Sequence, residues 1–402
     1  MSISEHLKEK LSALFRRKPA GKGPLLPAGT VDIRAFREEL RKELQELDGL
    51  FAADPDAYRK MQLSAYYRKG HSPDFQERIP ALMYKLRLGN LYLLHYYVMY
   101  RLLVPALLRE RIEQMRLLVL GCGSMIDALS LSCVLRETGG GPGVRYTGVD
   151  IARWPARVQV PFETRFVQKP LQEYWDGVDE FDGNILFFAT VLSELREYPD
   201  DTGAFIRGLE KTAFTSDVLF LLVSYRSTSS YKRDWKLTDW QKTQRVIGAL
   251  ERKGYRAESL PLSLPESWDR YFHSEQVRDE GGRAWPCHYL ASPDTEDGRI
   301  GIKELAPDFA VPDFVTAYLD DPGNIRKHCP YYLARREQDR RRNPDREAGE
   351  ENPARICRAE CPITCNPLPR DMFSNKFSPC FQMFVFRRKR EEDAQKTQND
   401  NA

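Results

Sequence analysis

Net charge and long uninterrupted apolar runs are what this sequence has least of. With 61 Lys and Arg against 58 Asp and Glu, the formal net charge is only +3. Whole-molecule charge therefore gives no argument for a polyanionic partner, and any nucleic-acid contact must rest on local patches. Residues 88–108 form the most apolar stretch, but Asn90, His95 and Arg101 interrupt it, well short of the roughly 18 unbroken apolar residues of a membrane span. Residues 1–17 carry Glu5, Lys8, Glu9 and Lys10 where a secretory leader needs its apolar core, so no leader is expected and a cytoplasmic location is. In a reducing compartment, eight cysteines speak for metal or thiol chemistry more than for disulfides.

What is present is organised around residues 117–150. Leu117, Leu118, Val119 and Leu120 form a continuous apolar run that Gly121-Cys122-Gly123 follows at once, which reads as a buried strand ending in a tight turn. A helix is expected next. Ser124 can cap it, Ala128, Leu129, Leu131 and Leu135 give it a buried stripe, and the glycine cluster at 139–143 stops it. A second strand, 144–150, ends on Asp150. Glycines let a backbone approach a ligand closely, and a carboxylate at the next strand's end can accept hydrogen bonds from both hydroxyls of a ribose.

At these residues the chain resembles the class I S-adenosylmethionine-dependent methyltransferases, whose first motif runs from a strand into Gly-x-Gly-x-Gly, with an acid closing the next strand. Gly121 and Gly123 fit the pattern, while Met125 stands at the third glycine and Val119 where an acid often precedes the turn. Asp127, just inside the helix, is placed to replace that acid near the cofactor's amino group. A dinucleotide-binding fingerprint would need glycine at Ile126. The resemblance implies an α/β fold: a Rossmann-like seven-stranded sheet whose last strand runs antiparallel. It further implies S-adenosylmethionine as cofactor, held by Gly121, Cys122, Gly123, Asp127, Asp150, Ile151 and Gln168. Gln168 closes the third strand, the place that reads the adenine. In this family the fourth strand ends at the cofactor's sulfonium, so the loop with Thr190, Ser193 and Glu194 lines the transfer site. Thr190 and Glu194 are the residues expected to face the acceptor.

The α/β alternation continues along the chain. Residues 164–167, 183–189 and 217–224 read as the third, fourth and fifth strands, the last apolar enough for burial on both faces. Helices are expected over 205–214 and 240–253, a sixth strand near 255–262, and the seventh only at 381–386. Residues 1–30 read as a tail and linker and 31–112 as a helical domain, with breaks expected near Gly89 and Pro105. Tyr92, Tyr96, Tyr97 and Tyr100 are expected to pack in the core with hydroxyls reaching the surface, and His95 to be a satisfied core histidine. Residues 113–263 and 381–387 make up the methyltransferase-like domain, 264–380 an insertion, and 388–402 a disordered tail.

The insertion holds Cys357-x-x-x-Cys361-Pro-x-x-Cys365, followed by Cys380, with His328-Cys329 and Cys287-His288 upstream. Closely spaced thiolates completed by one from further along are how a chain supplies four soft ligands to zinc or to an iron-sulfur cluster. Cys357, Cys361, Cys365 and Cys380 are the candidate ligands. The arginines from 335 to 346 are interspersed with Glu337, Asp339, Asp345 and Glu347, which favours an exposed mixed-charge loop over a phosphate-binding patch.

The expectation is thus methyl transfer from S-adenosylmethionine to an acceptor left open among RNA, protein and small molecules. One rival keeps the fold without the chemistry, as an RNA- or ribosome-associated binding protein with a structural metal site. The other is a metal-dependent enzyme centred on the cysteines.

Overall fold

In a computed structural model of the full chain, the residues described are 42, 43, 45, 46, 49, 50, 74–138, 141–155, 157–196, 200–225, 237–262, 272–290, 330–342, 344 and 380–388. Helix α1 (Arg78–Arg109) comes first. Its residues are apolar nearly all round, so it is buried rather than laid on the surface. It runs unbroken through both expected breaks, with Pro105 inside it. Dense packing outweighs the backbone hydrogen bond that proline removes.

Strand β1 (Gln114–Leu120) follows and lies at the middle of the sheet, parallel to β2 (Gly143–Asp150) on one side and β5 (Ile185–Ala189) on the other. Its Leu117 and Val119 face α1 and α2 (Ile126–Glu137), while Leu118 and Leu120 face the opposite layer, α3 (Asp201–Lys211) and α4 (Asp239–Arg252). Burial on both faces is why the run is continuously apolar. Asp200 caps α3 by accepting from the Gly203 N–H, and Thr238 with Gln241 forms a reciprocal capping box on α4. Beyond β2 lies β3 (Glu163–Gln168), and beyond β5 lies β7 (Val218–Tyr225), both parallel. The two-residue strands β4 (Glu180–Phe181) and β6 (Ala213–Phe214) pair separately.

Strand β11 (Cys380–Arg388) lies antiparallel to β7 along its whole length. On its other side β8 (Tyr255–Ser259) covers the later residues. At His288↔Phe381 it meets β10 (Ala284–Leu290), which hairpins back to β9 (Phe272–Arg278). The strand order is β3-β2-β1-β5-β7-β11, continued by β8 and by β10-β9. Two expectations change here. Residues 272–290, placed by the sequence in a separate insertion, extend the sheet, and Trp285 joins its core against Phe384. Residues 330–342, expected as a loop, form helix α5 (Pro330–Arg342), where Glu337 and Arg341 pair one turn apart. Cys357, Cys361 and Cys365 lie outside the described residues, as do the expected N-terminal tail and residues 389–402 of the expected C-terminal tail. Among the described residues no group of three potential ligands could hold a metal ion, and no helix is long and apolar enough to cross a membrane.

Candidate functional site

The candidate site is assembled at the carboxyl ends of the parallel strands. There β1 passes into Gly121 and Gly123, both with positive φ (70° and 53°), a backbone region open to glycine at little cost. Met125 keeps the left-handed geometry that the third glycine of the motif would supply (φ 64°) and itself precedes α2. Ser124, the expected cap, makes no capping hydrogen bond. Its Oγ is buried and meets no partner among the described residues. Four non-glycine residues have positive φ among the described residues, and three of them, Met125, Trp154 and Thr190, follow β1, β2 and β5. Such strain costs on the order of 1–3 kcal/mol per residue and gathers where function fixes the backbone.

Asp150 ends β2 and reaches across to the turn. Its Oδ2 accepts the Gly123 N–H at 3.0 Å and its Oδ1 the Ala152 N–H at 2.9 Å. Burial raises the pKa of this carboxyl, while the Ala152 N–H, the nearby Trp154 indole and the Gly123 and Ile151 amides pull it back. The Gly123 and Ala152 amides thus hold one oxygen each and fix the carboxylate beside the turn. Ile151 follows with 67% of its surface exposed, one of only two exposed large apolar side chains among the described residues. Gln168 stands beside it, exposed, its amide contacting the Ile151 carbonyl at 3.4 Å.

Two residues that sequence reading missed close over the turn. A Cβ on Gly121 would lie 2.4 Å from Val191 Cβ, and Gly123 packs under the Trp154 indole, 3.6 Å from such a Cβ. Trp154 is buried against Phe75 and Tyr84, with its indole near the Asp150 carboxylate. The glycines thus admit the protein's own side chains as well as any ligand. Neither Trp154 nor Val191 belongs to a local motif, and each reaches the turn across the fold.

Cys122 is buried and packs under Gly148, and burial raises its thiol pKa. Asp127 is placed differently from expectation. Its carboxyl accepts from Tyr146 OH at 3.0 Å and Tyr100 OH at 3.2 Å, so it is committed to the core between α1 and β2 rather than offered to a ligand's amino group. Burial lifts its pKa to about 7 against the pull of the two phenols. The tyrosine hydroxyls of α1 also turn inward: Tyr97 donates to Glu137 and Tyr96 meets Thr190. The buried positions forbid the surface exit expected of them.

On the acceptor side, Thr190 follows β5, half-buried, and Glu194 is exposed on the short turn Leu192–Glu194, with Ser193 between them in sequence. Lys242 of α4 fixes that turn from below, its buried ammonium donating to the carbonyls of Leu192 (3.0 Å) and Leu195 (2.7 Å). Cys380 begins β11 opposite Tyr225, at the same edge of the sheet, and Cys287 of β10 lies beside it.

A strand order 3-2-1-4-5-7-6, with an antiparallel seventh strand between the fifth and sixth, is traced here by β3, β2, β1, β5, β7, β11 and β8. This is the class I methyltransferase fold. No family model matches the sequence, and no curated protein does. Among solved structures, the chain is similar to a SAM-dependent methyltransferase from Archaeoglobus fulgidus (13% identity, 72% of this chain and 94% of that one, TM-score 0.29). It is also similar to the plantazolicin methyltransferase BpumL in complex with SAH (10%, 88% and 99%, 0.28). A third is the [4+2]-cyclase SpnF (10%, 71% and 79%, 0.29). The strand order carries the fold assignment; these distant likenesses add nothing about chemistry.

The residues present fit S-adenosylmethionine. Asp150 sets a carboxylate at the end of β2 beside the glycine turn, Ile151 offers an uncovered apolar face for a flat base, and Ser124 Oγ is a buried polar atom with no partner among the described residues.

Proposed function

We propose that the protein transfers a methyl group from S-adenosylmethionine to an acceptor held above β5 and β7. The observation that carries this reading is Asp150, joined to Gly123 across the β1–β2 crevice where sheets of this kind bind ligands. Gly121, Cys122 and Gly123 would supply the turn, Asp150 the ribose contact, and Ile151 with Gln168 the base contact, while Asp127 would brace the turn from within. Bound there, S-adenosylmethionine supplies an electrophilic methyl group, and the protein's share is chiefly alignment. Thr190 would orient the nucleophile and Glu194, exposed at the mouth, would take a proton where the acceptor must lose one. RNA, protein and small molecules all stay within this reading, as does a cytoplasmic setting.

Calorimetry with S-adenosylmethionine tests it, with Asp150→Ala as control. Loss of two charge-assisted hydrogen bonds should weaken binding by about 100-fold or more. Well-folded wild-type protein that takes up no cofactor would end the methyltransferase reading.

One observation favours a second reading, a non-catalytic binding protein on this fold. Val191 and Trp154 already fill the space over the glycines, and if they stay there the cofactor has no entry. A structural zinc or iron-sulfur centre at Cys357, Cys361, Cys365 and Cys380 belongs to either reading and is tested by the metal content of the purified full chain.

A further inference from the structure

Behind Thr190 lies a continuous file of hydroxyls that the proposed reaction does not use. Tyr96 OH stands 3.3 Å from Thr190 Oγ1, Thr190 Oγ1 stands 2.7 Å from Ser224 Oγ, and Ser224 Oγ stands 2.8 Å from His95 Nε2. The file crosses from α1 through the ends of β5 and β7 and back to α1. Tyr96, Ser224 and His95 are buried, and Thr190 alone is partly open. Thr190 is also the member with a left-handed backbone (φ 59°).

Proton counting gives the file a direction. A phenol donates more readily than it accepts, and with Tyr96 as the donor to Thr190 the rest of the file has a single direction. Thr190 has one proton and gives it to Ser224, which in turn gives its own to His95. His95 must then accept at Nε2, as the neutral Nδ1–H tautomer. Burial presses its pKa down to about 3, so it stays neutral in this role. In that arrangement Thr190 keeps one lone pair without a partner among the described residues, and no free proton.

We propose that this buried, uncharged chain presents Thr190 Oγ1 to the acceptor as a hydrogen-bond acceptor only, and so selects nucleophiles that carry their own proton, an amine N–H or a hydroxyl, over carboxylates. A carboxylate would set lone pair against lone pair at Thr190 Oγ1. His95 and Ser224 are positioning residues here, acting through Thr190. The inference rests on the methyl-transfer reading for its chemistry. In the step itself, the nucleophile's lone pair forms the new bond to the methyl carbon and the carbon–sulfur pair stays on sulfur. The displaced proton leaves to Glu194 or water, because neutral His95 resists protonation.

Two measurements decide it. In long-range proton–nitrogen spectra of full-length protein labelled at its six histidines, His95 should show an unprotonated Nε2 that does not titrate from about pH 5 to 8, and Ser224→Ala should shift that signal. A protonated Nε2 overturns the chain's direction. In the second, tritiated S-adenosylmethionine is incubated with the protein and separate pools of RNA, protein and small molecules, and the product is treated with base. The label should stay attached, and Thr190→Val should lower transfer about tenfold with cofactor binding unchanged while Thr190→Ser restores it. Label released as volatile methanol, the mark of a methyl ester, sinks the selection while leaving methyl transfer intact. If calorimetry shows no cofactor binding, the methyl-transfer reading fails and the selection falls with it, while the nitrogen spectra still decide how the four groups are bonded.

Discussion

Asp127 shows how a single residue can be correctly located by sequence and wrongly assigned. Its place in the first turn of α2 was legible; its partners, Tyr100 and Tyr146, were not, because one comes from α1 and the other from β2. Its pKa, raised to about 7, makes a prediction of definite sign. Between about pH 4 and 7 the folded state holds a proton that the unfolded chain has released, so this group's contribution to stability is full below about pH 4 and is lost as pH rises through 7. Asp127→Asn should remove that loss, and urea midpoints of variant and wild type should converge toward pH 4 and separate by pH 8, the variant being the more resistant. Gly121 gives a second test. A methyl group there meets Val191 at 2.4 Å on a backbone with φ 70°, so Gly121→Ala should destabilise by about 2 kcal/mol or more, read from the same titration. Gly121, Gly123 and Asp150 were visible in the sequence because they act through local backbone geometry. His95 is the satisfied core histidine expected, bonded to Ser224, while Trp154 and Val191 carried no local signal, since they reach the turn only across the fold.

The elements were legible wherever one periodicity ruled. Strands β2, β3, β5, β7 and β11 were each found within two residues of either end, and β1 begins three residues before its apolar run, because such runs are bounded by glycine, proline or charge. Helix α1 was not, since Pro105 and Gly89 are local signals that burial overrode. The hairpin β9–β10 was missed for a related reason. His273, Glu275 and Glu280 make it look like solvated chain, and only Trp285 and Cys287 tie it into the core. The turn after β5 depends on α4 through Lys242, whose ammonium satisfies two carbonyls at once. Lys242→Met keeps most of the volume and leaves both carbonyls unmatched. It should cost about 1–3 kcal/mol and increase hydrogen exchange at 192–195 more than in β1, which mass spectrometry can resolve.

For the molecule as a whole, acid sensitivity follows from two histidines held neutral. Burial lowers His95 to about 3 and His288, bonded to Ser274, to about 4. The unfolded chain binds those protons near pH 6.5 and the folded one does not, so their contribution is present above 6.5 and lost as pH falls through 4 and then 3. Asp127 opposes this over much of the same range. Asp150, also raised by burial, acts in the same sense as Asp127, and His95→Gln should make the thermal midpoint fall less between pH 6 and 4, measured by circular dichroism.

The antiparallel strand β11 has a consequence for synthesis. It fills the gap between β7 and β8, yet it is translated long after both. While the ribosome is still reading through the intervening residues, β7 presents Leu219, Phe220, Leu221, Leu222 and Val223 along an open edge, a surface of the kind that recruits neighbouring nascent chains. Stalled or prematurely stopped products ending before residue 380 should therefore clump, whereas those reaching 388 should not. The last strand of the sheet acts as the release step of its own manufacture.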